Sequence, residues 1–292
     1  MYLVTGASGQ LGRAVINHLL TTYKVPAGKI IALSRDPAKL ADLKGKGVTV
    51  RAADFAKADG LAKAFDGATR ALVISTSSIE PGARQVEHGN AVKAAEKAGV
   101  GHVIYTSMPK PETSTILFAP DHLNTEKAIA ASSIKNWTVL RNNWYFENLF
   151  FSIPQAIKSG SQYTATGQGK IPYIARDDLA RAAAAVLASD SSGKKTCLLT
   201  GAKEYTTDDI AKLVMAATGK TFNVVHVPVE GLVQGMIGAG LPDGMARLFA
   251  SFDDNTAKGG LAGITGDYKA LTGLDPQPFE PWITANAAAL AG

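Results

Sequence analysis

Residues Leu3-Val-Thr-Gly6-Ala-Ser-Gly9-Gln-Leu-Gly12 decide the fold of this chain. An apolar run precedes the first glycine, and the last glycine opens a stretch whose apolar residues recur at helical spacing. In such a strand, turn and helix, the glycines make the tight turn, let the backbone approach a pyrophosphate and pack the helix on the strand. The stretch therefore predicts a dinucleotide site, although glycines at this spacing also occur in ordinary loops. The predicted contacts are Gly6, Ala7, Ser8, Gly9, Gln10, Leu11 and Gly12.

The end of the second predicted strand, Lys29 to Leu33, bears on which dinucleotide is bound. NAD enzymes commonly carry an acidic residue about 20 residues beyond the glycines, where it accepts hydrogen bonds from the ribose. This chain has Ser34 and Arg35 there, and a guanidinium can pair with the 2′-phosphate of NADP and stack on adenine. The sequence therefore favours NADP(H). Asp36 could serve a ribose but is better placed to cap a helix that begins at Pro37.

Composition limits the classes of protein to which the chain can belong. Its 292 residues are 46% hydrophobic, enough for a large core. No apolar run of about 18 residues occurs, and the first predicted strand begins at once, so we expect neither a membrane span nor a signal peptide, and a cytoplasmic location. The single cysteine, Cys197, excludes an intrachain disulfide, and we predict no metal site. The net charge of +5 is scattered along the chain, so nucleic acid is not an expected partner.

Short apolar runs alternate with helical stretches through the first half of the chain. Their continuous hydrophobicity is typical of parallel strands covered on both faces. We therefore predict the α/β class, a Rossmann-type doubly wound parallel sheet with ligands at the carboxyl ends of its strands. There Asp54 and Phe55 would lie near adenine, and Ser75, Thr76 and Ser77 near the nicotinamide half. The remaining predicted strands of this half are Val48 to Ala53, Ala71 to Ser75, His102 to Thr106 and Trp137 to Leu140.

The pattern loosens near residue 150, where we place a domain boundary. Residues 1–150 form the predicted NADP-binding domain, to which residues 171–189 return with a helix, from about Leu179, capped by an aspartate. Residues 151–170 and 190–292 form a smaller substrate-binding lobe. Two glycine-rich loops, 238–244 and 258–261, could close over a substrate or be plain turns.

A catalytic pair common on this fold is missing. The glycine spacing resembles that of the short-chain dehydrogenase/reductase superfamily, whose carbonyl reductases carry Tyr-x-x-x-Lys after a strand that ends in serine. This chain has Ser107 but Phe118-Ala-Pro-Asp-His122 where the pair is expected. Without the tyrosine that donates a proton, ordinary ketone reduction is not expected. His122 is the catalytic candidate, because it could hold the ribose or relay a proton near neutral pH, although packing is its commoner use.

Later stretches resemble the NmrA-like atypical branch of that superfamily, and within it the bacterial NAD(P)H:quinone oxidoreductases, with the triphenylmethane dye reductases as near neighbours. The resemblance implies a flavin-free reductase that passes hydride from NADPH to a quinone-like small molecule. The alternative is a non-catalytic NADP-sensing regulator of the NmrA type, and a homodimer stays open. The stretches that carry the resemblance are 121–127, 140–148, 175–178, 240–244 and 258–261.

The resemblance also implies cofactor contacts from the segment after the sixth strand and from Arg176. Arg141 and Arg176 could instead pair with nearby acidic residues. Asn143 stands where the branch carries glycine, and its side chain could reshape the pocket beside nicotinamide. Trp144 and Tyr145 could form a flat aromatic wall for a ring substrate, or they could belong to the hydrophobic core. The implied contacts in this segment are Arg141, Asn142, Asn143, Trp144 and Tyr145.

Overall fold

The computed structural model describes residues 1–80 and 82–292, and a parallel sheet dominates it. Seven strands are ordered β3-β2-β1-β4-β5-β6-β8, and each neighbouring pair is parallel. Two further strands, β7 and β9, form a small parallel sheet. The strands are β1 (Tyr2–Val4), β2 (Ile30–Ser34), β3 (Thr49–Ala52), β4 (Arg70–Val73), β5 (His102–Ser107), β6 (Asn136–Asn142), β7 (Ser161–Thr164), β8 (Lys194–Leu199) and β9 (Asn223–His226).

Helices cover both faces of the large sheet. One face packs against α1 and α7 through Val15, Leu19 and Val186, and the other packs against α3 and α4 through Phe65 and Val92. The predicted doubly wound fold is therefore confirmed. The helices are α1 (Gln10–Thr21), α2 (Ala41–Gly45), α3 (Leu61–Phe65), α4 (Ala83–Lys97), α5 (Ala119–Ala131), α6 (Leu149–Ser159), α7 (Arg176–Ala188), α8 (Thr207–Thr218), α9 (Val229–Gly238), α10 (Asp243–Ala257), α11 (Asp267–Thr272), α12 (Phe279–Ala285) and α13 (Ala287–Ala291).

The order of the strands determines where a ligand can bind. The chain runs outward from β1 through β2 to β3, then returns to the other side of β1 as β4. A crevice opens at such a reversal, outside the carboxyl ends of the strands, because the following connections diverge to opposite faces. The glycine turn after β1 lies at this crevice.

The glycine turn has the conformation that its sequence predicts. Gly6 has a φ of +58°, in the left-handed region that favours glycine. A Cβ on Gly12 would lie 2.4 Å from the Gly6 carbonyl oxygen, so only glycine lets α1 start this close to the turn. The helix begins at Gln10, two residues before the predicted start.

The two predicted aspartate caps have different outcomes. Asp36 is confirmed as a helix cap, because its carboxylate accepts a hydrogen bond from the Ala38 amide at 3.1 Å. The predicted aspartate cap on the later helix is wrong, since α7 begins at Arg176 after Ala175, and the carboxylate that accepts from its first amide belongs to Glu147. Asp178 lies inside the first turn, where it accepts hydrogen bonds from the Tyr268 hydroxyl at 2.8 Å and the Gln277 amide at 2.7 Å. It therefore ties α7 to the C-terminal segment.

The second half of the chain contributes to both parts of the molecule. Residues 176–188 pack on α1 and on the large sheet as α7. The strand β8 pairs with β6 at the edge of that sheet, so the proposed boundary at residue 190 does not hold for it. Aromatic and aliphatic residues of α6, α8 and α12 form a separate core around Phe279 and Trp282. The helices α9 and α10 were not predicted, and the predicted loop at 238–244 overlaps only the end of α9 and the start of α10.

Membrane-spanning helices and metal-binding clusters would indicate other kinds of function. Within residues 1–80 and 82–292, no helix is long and apolar enough to cross a membrane. The same ranges hold no group of three or more histidine, cysteine or acidic residues placed to bind a metal ion.

Candidate active site

The carboxyl ends of β1 and β2 bring the first predicted cofactor residues together. The Ser34 hydroxyl donates a hydrogen bond to Ser8 Oγ at 3.0 Å, and the Ala7 amide donates to the Leu33 carbonyl at 2.9 Å. Gly9 precedes α1 and supplies no side-chain cap to the first amides of that helix. An uncapped helix start with exposed glycine backbone is a ready anion site.

Arg35 and Asp36 follow β2 at this edge, and both are exposed. Asp36 uses one carboxylate oxygen to cap the next turn. Arg35 directly follows the end of β2, the position at which a ribose-binding carboxylate would otherwise lie. This arrangement agrees with the predicted preference for a phosphorylated ribose.

The next two strands place their predicted residues at the same edge. Asp54 accepts a hydrogen bond from the Ala56 amide at 3.1 Å, and the Phe55 carbonyl accepts one from Asn90 at 2.9 Å. After β4, the Ser75 amide donates to Thr106 Oγ1 at 2.9 Å, while Ser77 is exposed. Both loops therefore lie along the crevice that begins at the glycine turn.

Arg176 joins two other predicted contacts across the glycine turn. Its guanidinium donates a hydrogen bond to Gln10 Oε1 at 2.6 Å and lies 5.8 Å from the centre of the Tyr145 ring. Its amide donates to a carboxylate oxygen of Glu147 at 3.1 Å. Gln10, Tyr145 and Arg176 thus meet at the start of α1, although they lie far apart in the chain.

Arg141 occupies a different environment. Its guanidinium donates to Glu126 at 2.6 Å and also pairs with Glu112. Ser107 donates its hydroxyl proton to the same Glu126 at 2.6 Å. The structure therefore favours the ion-pair alternative for Arg141, and Ser107 serves this cluster rather than a tyrosine acid.

Asn143 connects the strand β6 to a glycine-rich loop. Its side chain is fully buried, donates to the Leu261 carbonyl at 2.9 Å and accepts from the Trp144 amide at 2.8 Å. Asn142, beside it, is also buried. A glycine at this position could not make the hydrogen bond to Leu261, so the Asn143 side chain helps to hold the loop at 258–261 in place.

A polar chain links the loop after β4 to α4, β5 and α5. The Thr76 amide donates to His88 Nε2 at 3.0 Å. The Tyr105 hydroxyl lies 3.3 Å from His88 Nδ1 and 2.8 Å from His122 Nδ1. His88 Nδ1 also lies 2.9 Å from Thr125 Oγ1. We call Thr76, His88, Tyr105 and His122 the imidazole chain, and it brings the catalytic candidate beside the predicted nicotinamide loop.

Burial keeps the two histidines of this chain neutral. It lowers the pKa of His122 to about 3 and the pKa of His88 to about 4, and the nearby Arg84 guanidinium acts in the same direction. It also raises the pKa of the Tyr105 hydroxyl far above its usual range. The expectation that His122 titrates near neutral pH is therefore wrong, because the sequence did not reveal how deeply the ring is buried.

A row of aromatic rings extends from His122 toward the smaller lobe. The ring of Phe118 lies 5.7 Å from that of His122 and 5.8 Å from that of Phe252, between ring centres. Trp144 lies 5.3 Å from Phe252, and Phe249 lies 6.0 Å from it. We call Phe118, Trp144, Phe249 and Phe252 the aromatic row. The Arg84 guanidinium lies over the Phe118 ring, 4.4 Å from its centre, while Phe249 is exposed and Trp144 and Phe252 are half-buried, so these three rings can offer apolar surface to a conjugated ring.

The helix α10 holds its part of the aromatic row by polar contacts on both sides. Asn255 Oδ1 accepts from the Thr115 amide at 3.1 Å, and Ser251 Oγ accepts from the Leu117 amide at 3.3 Å. Asp253 accepts from the Ala165 amide at 2.7 Å. These contacts fix α10 against the segment that carries Phe118.

His88, Phe249 and Phe252 were not predicted as site residues from the sequence. A signal existed for the two phenylalanines, because residues three apart on a helix share a face. None existed for His88, since only the fold brings α4 beside β5. The predicted aromatic wall included Tyr145, which instead contacts Arg176.

Comparison with known proteins places this architecture in a family. The sequence model of the NmrA-like family matches residues 2–290 of this chain. The chain belongs to that family. It is 38% identical to quinone oxidoreductase 2 of Escherichia coli, over 95% of this chain and 94% of the relative.

Solved structures give the same placement. One of an NADPH-dependent quinone oxidoreductase from Escherichia coli, complexed with NADPH, matches with a TM-score of 0.91 and 36% identity over 98% of this chain and 99% of that one. Triphenylmethane reductase from Citrobacter sp., complexed with NADP(H), matches with a TM-score of 0.89 and 36% identity over 98% and 100% of the chains. The predicted family and fold are both confirmed.

Proposed function

We propose that the protein is an NADPH-dependent reductase that transfers hydride to a quinone or a similar electron-poor conjugated ring without flavin. The observation that carries the proposal is the similarity, over nearly the whole chain, to an NADPH-dependent quinone oxidoreductase solved with NADPH. The site itself supports it, because an anion-binding helix start lies at the same sheet edge as a row of aromatic rings.

The residues at the sheet edge fit NADPH. The space beside Gly12 is closed to any side chain, as a cradle formed by backbone requires, and the first amides of α1 are uncapped. Arg35 would pair with the 2′-phosphate, while Ser75, Thr76 and Ser77 would border the nicotinamide half. The proposed assignment leaves Arg141 in its ion pairs.

The remaining residues position the acceptor. NADPH supplies a hydride when it is bound. The aromatic row would pack against the flat acceptor and exclude water, with His122 beside Phe118 of that row. Most of the acceleration then comes from holding two rings in contact in the right orientation.

A strong acid is unnecessary for this class of acceptor. Hydride addition to a quinone leaves an oxygen anion that the ring stabilises by resonance, so water can protonate it afterwards. The absence of Tyr-x-x-x-Lys therefore agrees with quinone reduction and argues against reduction of simple ketones.

Oxidation of NADPH by the purified, flavin-free protein tests the proposal. With benzoquinones as acceptors, the nicotinamide absorbance should fall at a rate that saturates in both reactants, whereas a simple aliphatic ketone should give no turnover. NADPH binding without turnover on any quinone would contradict the proposal and support the NADP-sensing regulator. A cytoplasmic location and a homodimer stay predictions, which cell fractionation and size-exclusion chromatography would test.

A further inference from the structure

The first link of the imidazole chain has a fixed direction. A backbone amide can only donate, so the bond from Thr76 makes His88 Nε2 an acceptor. A neutral imidazole carries one ring proton, which must then lie on His88 Nδ1. The Thr125 hydroxyl donates to the Asp121 carbonyl at 2.7 Å, leaving Thr125 Oγ1 free to accept from His88 Nδ1. Two independent contacts therefore assign the same tautomer to His88.

The direction continues through Tyr105. Because His88 Nδ1 carries a proton, the Tyr105 hydroxyl cannot donate to it. The other nitrogen within hydrogen-bond distance is His122 Nδ1, at 2.8 Å. The hydroxyl donates there, so His122 Nδ1 is an acceptor and the ring proton of His122 lies on Nε2.

Within the imidazole chain, His122 is the member in ring contact with the aromatic row. His88 and Tyr105 have no exposed surface, whereas His122 retains 4%. Nε2 lies across the imidazole ring from the nitrogen that Tyr105 engages. The His122 ring meets Phe118 of the aromatic row edge to face. Among the described residues, Nδ1 is the His122 nitrogen that takes part in a hydrogen bond, so the N–H of Nε2 is the one left available to a ring substrate beside the aromatic row.

We propose that the Thr76 amide, His88 and Tyr105 fix His122 as an Nε2–H donor aimed at the carbonyl oxygen of the acceptor. This inference rests on the proposed reductase function. As hydride reaches the acceptor, negative charge develops on that oxygen, and a donor already in place stabilises it. His88 and Tyr105 are positioning residues, since they act only through His122.

The chain supplies a hydrogen bond and not a net proton. If His122 lost its proton, Tyr105 could donate its hydroxyl proton to His122, and His88 could donate its ring proton to Tyr105. The chain then ends at the Thr76 backbone amide, which keeps its proton, so His88 cannot be reprotonated from there. The acceptor therefore gains two electrons and one hydrogen as hydride from NADPH, and the proton that completes the hydroquinone comes from water.

Nitrogen NMR of the wild-type protein tests the tautomer without any turnover. With ¹⁵N-labelled histidine, His122 should show a protonated Nε2 and an unprotonated Nδ1, assigned by comparison with His122→Ala. A protonated Nδ1 would overturn the proposal. This result stands even if no quinone is reduced, so it separates failure of this inference from failure of the proposed function.

Kinetics of Tyr105→Phe tests the positioning role. The variant should lower kcat for benzoquinone roughly tenfold, below the about 100-fold loss of a true proton donor, with the KM for NADPH unchanged. The same substitution should have no effect in a His122→Ala background. Tyr268→Phe is the matched control, because it removes a buried hydroxyl bonded at 2.8 Å to Asp178, away from the chain, and it should leave kcat unchanged. An unchanged kcat in Tyr105→Phe, or an equal loss in the His122→Ala background, would contradict the role.

Discussion

We call the glycine turn of residues 6–12 together with Arg35 the nucleotide edge. It lies beside the imidazole chain, but the two regions are formed by different kinds of groups. The nucleotide edge consists of exposed backbone and short loops, with Gly6 and Gly9 open to solvent. Apart from the Thr76 amide, the imidazole chain consists of buried side chains from α4, β5 and α5, with His88 and Tyr105 fully enclosed. The glycine turn depends on the absence of side chains, with Arg35 as the charged side chain proposed beside it, whereas the imidazole chain depends on the exact placement of a few side chains. Binding and chemistry should therefore fail separately when each region is changed.

Substitution of Gly12 by alanine should have the largest effect. The added Cβ would lie 2.4 Å from the Gly6 carbonyl, so the turn must move. We expect a loss of about 1–3 kcal/mol in the free energy of unfolding, as for other overpacked sites. NADPH affinity should fall by about 100-fold or more, because displaced amides no longer meet the phosphates.

Thermal melting and cofactor titration would measure both losses. Gly235→Ala is the control, since that helical glycine has open space around its Cβ position. It should leave NADPH affinity unchanged. Wild-type affinity in Gly12→Ala would show that the glycine turn does not contact the cofactor.

Replacement of His122 by alanine should come next and should affect chemistry alone. Loss of one donor to a developing oxyanion costs roughly 100-fold in kcat, while NADPH affinity should stay within about twofold. Because burial lowers the pKa of His122 to about 3, the ring stays neutral above that pH. The wild-type kcat should therefore show no titration of His122 between about pH 5 and about pH 8.

Steady-state kinetics over that pH range would test this prediction. His226→Ala changes an exposed histidine on β9 and serves as the control. A wild-type kcat that titrates near neutral pH and loses this dependence in His122→Ala would restore the proton relay and contradict the neutral donor.

Substitution of Arg35 by alanine should have the smallest of the three effects. It removes one charge-assisted contact to the 2′-phosphate, worth about 1.5–3 kcal/mol. NADPH affinity should fall about tenfold or somewhat more, and NADH affinity should barely change. Binding of both cofactors would be measured by nicotinamide fluorescence, with Arg247→Ala as an exposed arginine control. Equal losses for NADPH and NADH would refute the role of Arg35.

The same contrast explains what the sequence could predict. The glycine turn, the strand ends and the Asp36 cap depend on neighbours within a few residues, so local sequence patterns were enough to predict them. The position of His122 could also be predicted, because it follows β5 at the spacing of the missing pair. Its neutral state could not, since that depends on burial beside His88 of α4. Likewise, Asp178 bonds to Tyr268, a residue that only the fold brings near.

One measurement tests the separation of binding from chemistry most directly: the equilibrium dissociation constant for NADPH and the kcat with benzoquinone, both determined for Arg35→Ala and His122→Ala. We expect each variant to change a different one of these two quantities. Arg35→Ala weakens NADPH binding about tenfold or more with little change in kcat, whereas His122→Ala lowers kcat roughly 100-fold with little change in binding. Parallel losses of both quantities in both variants would contradict it, because they would mean that the nucleotide edge and the imidazole chain act as a single unit.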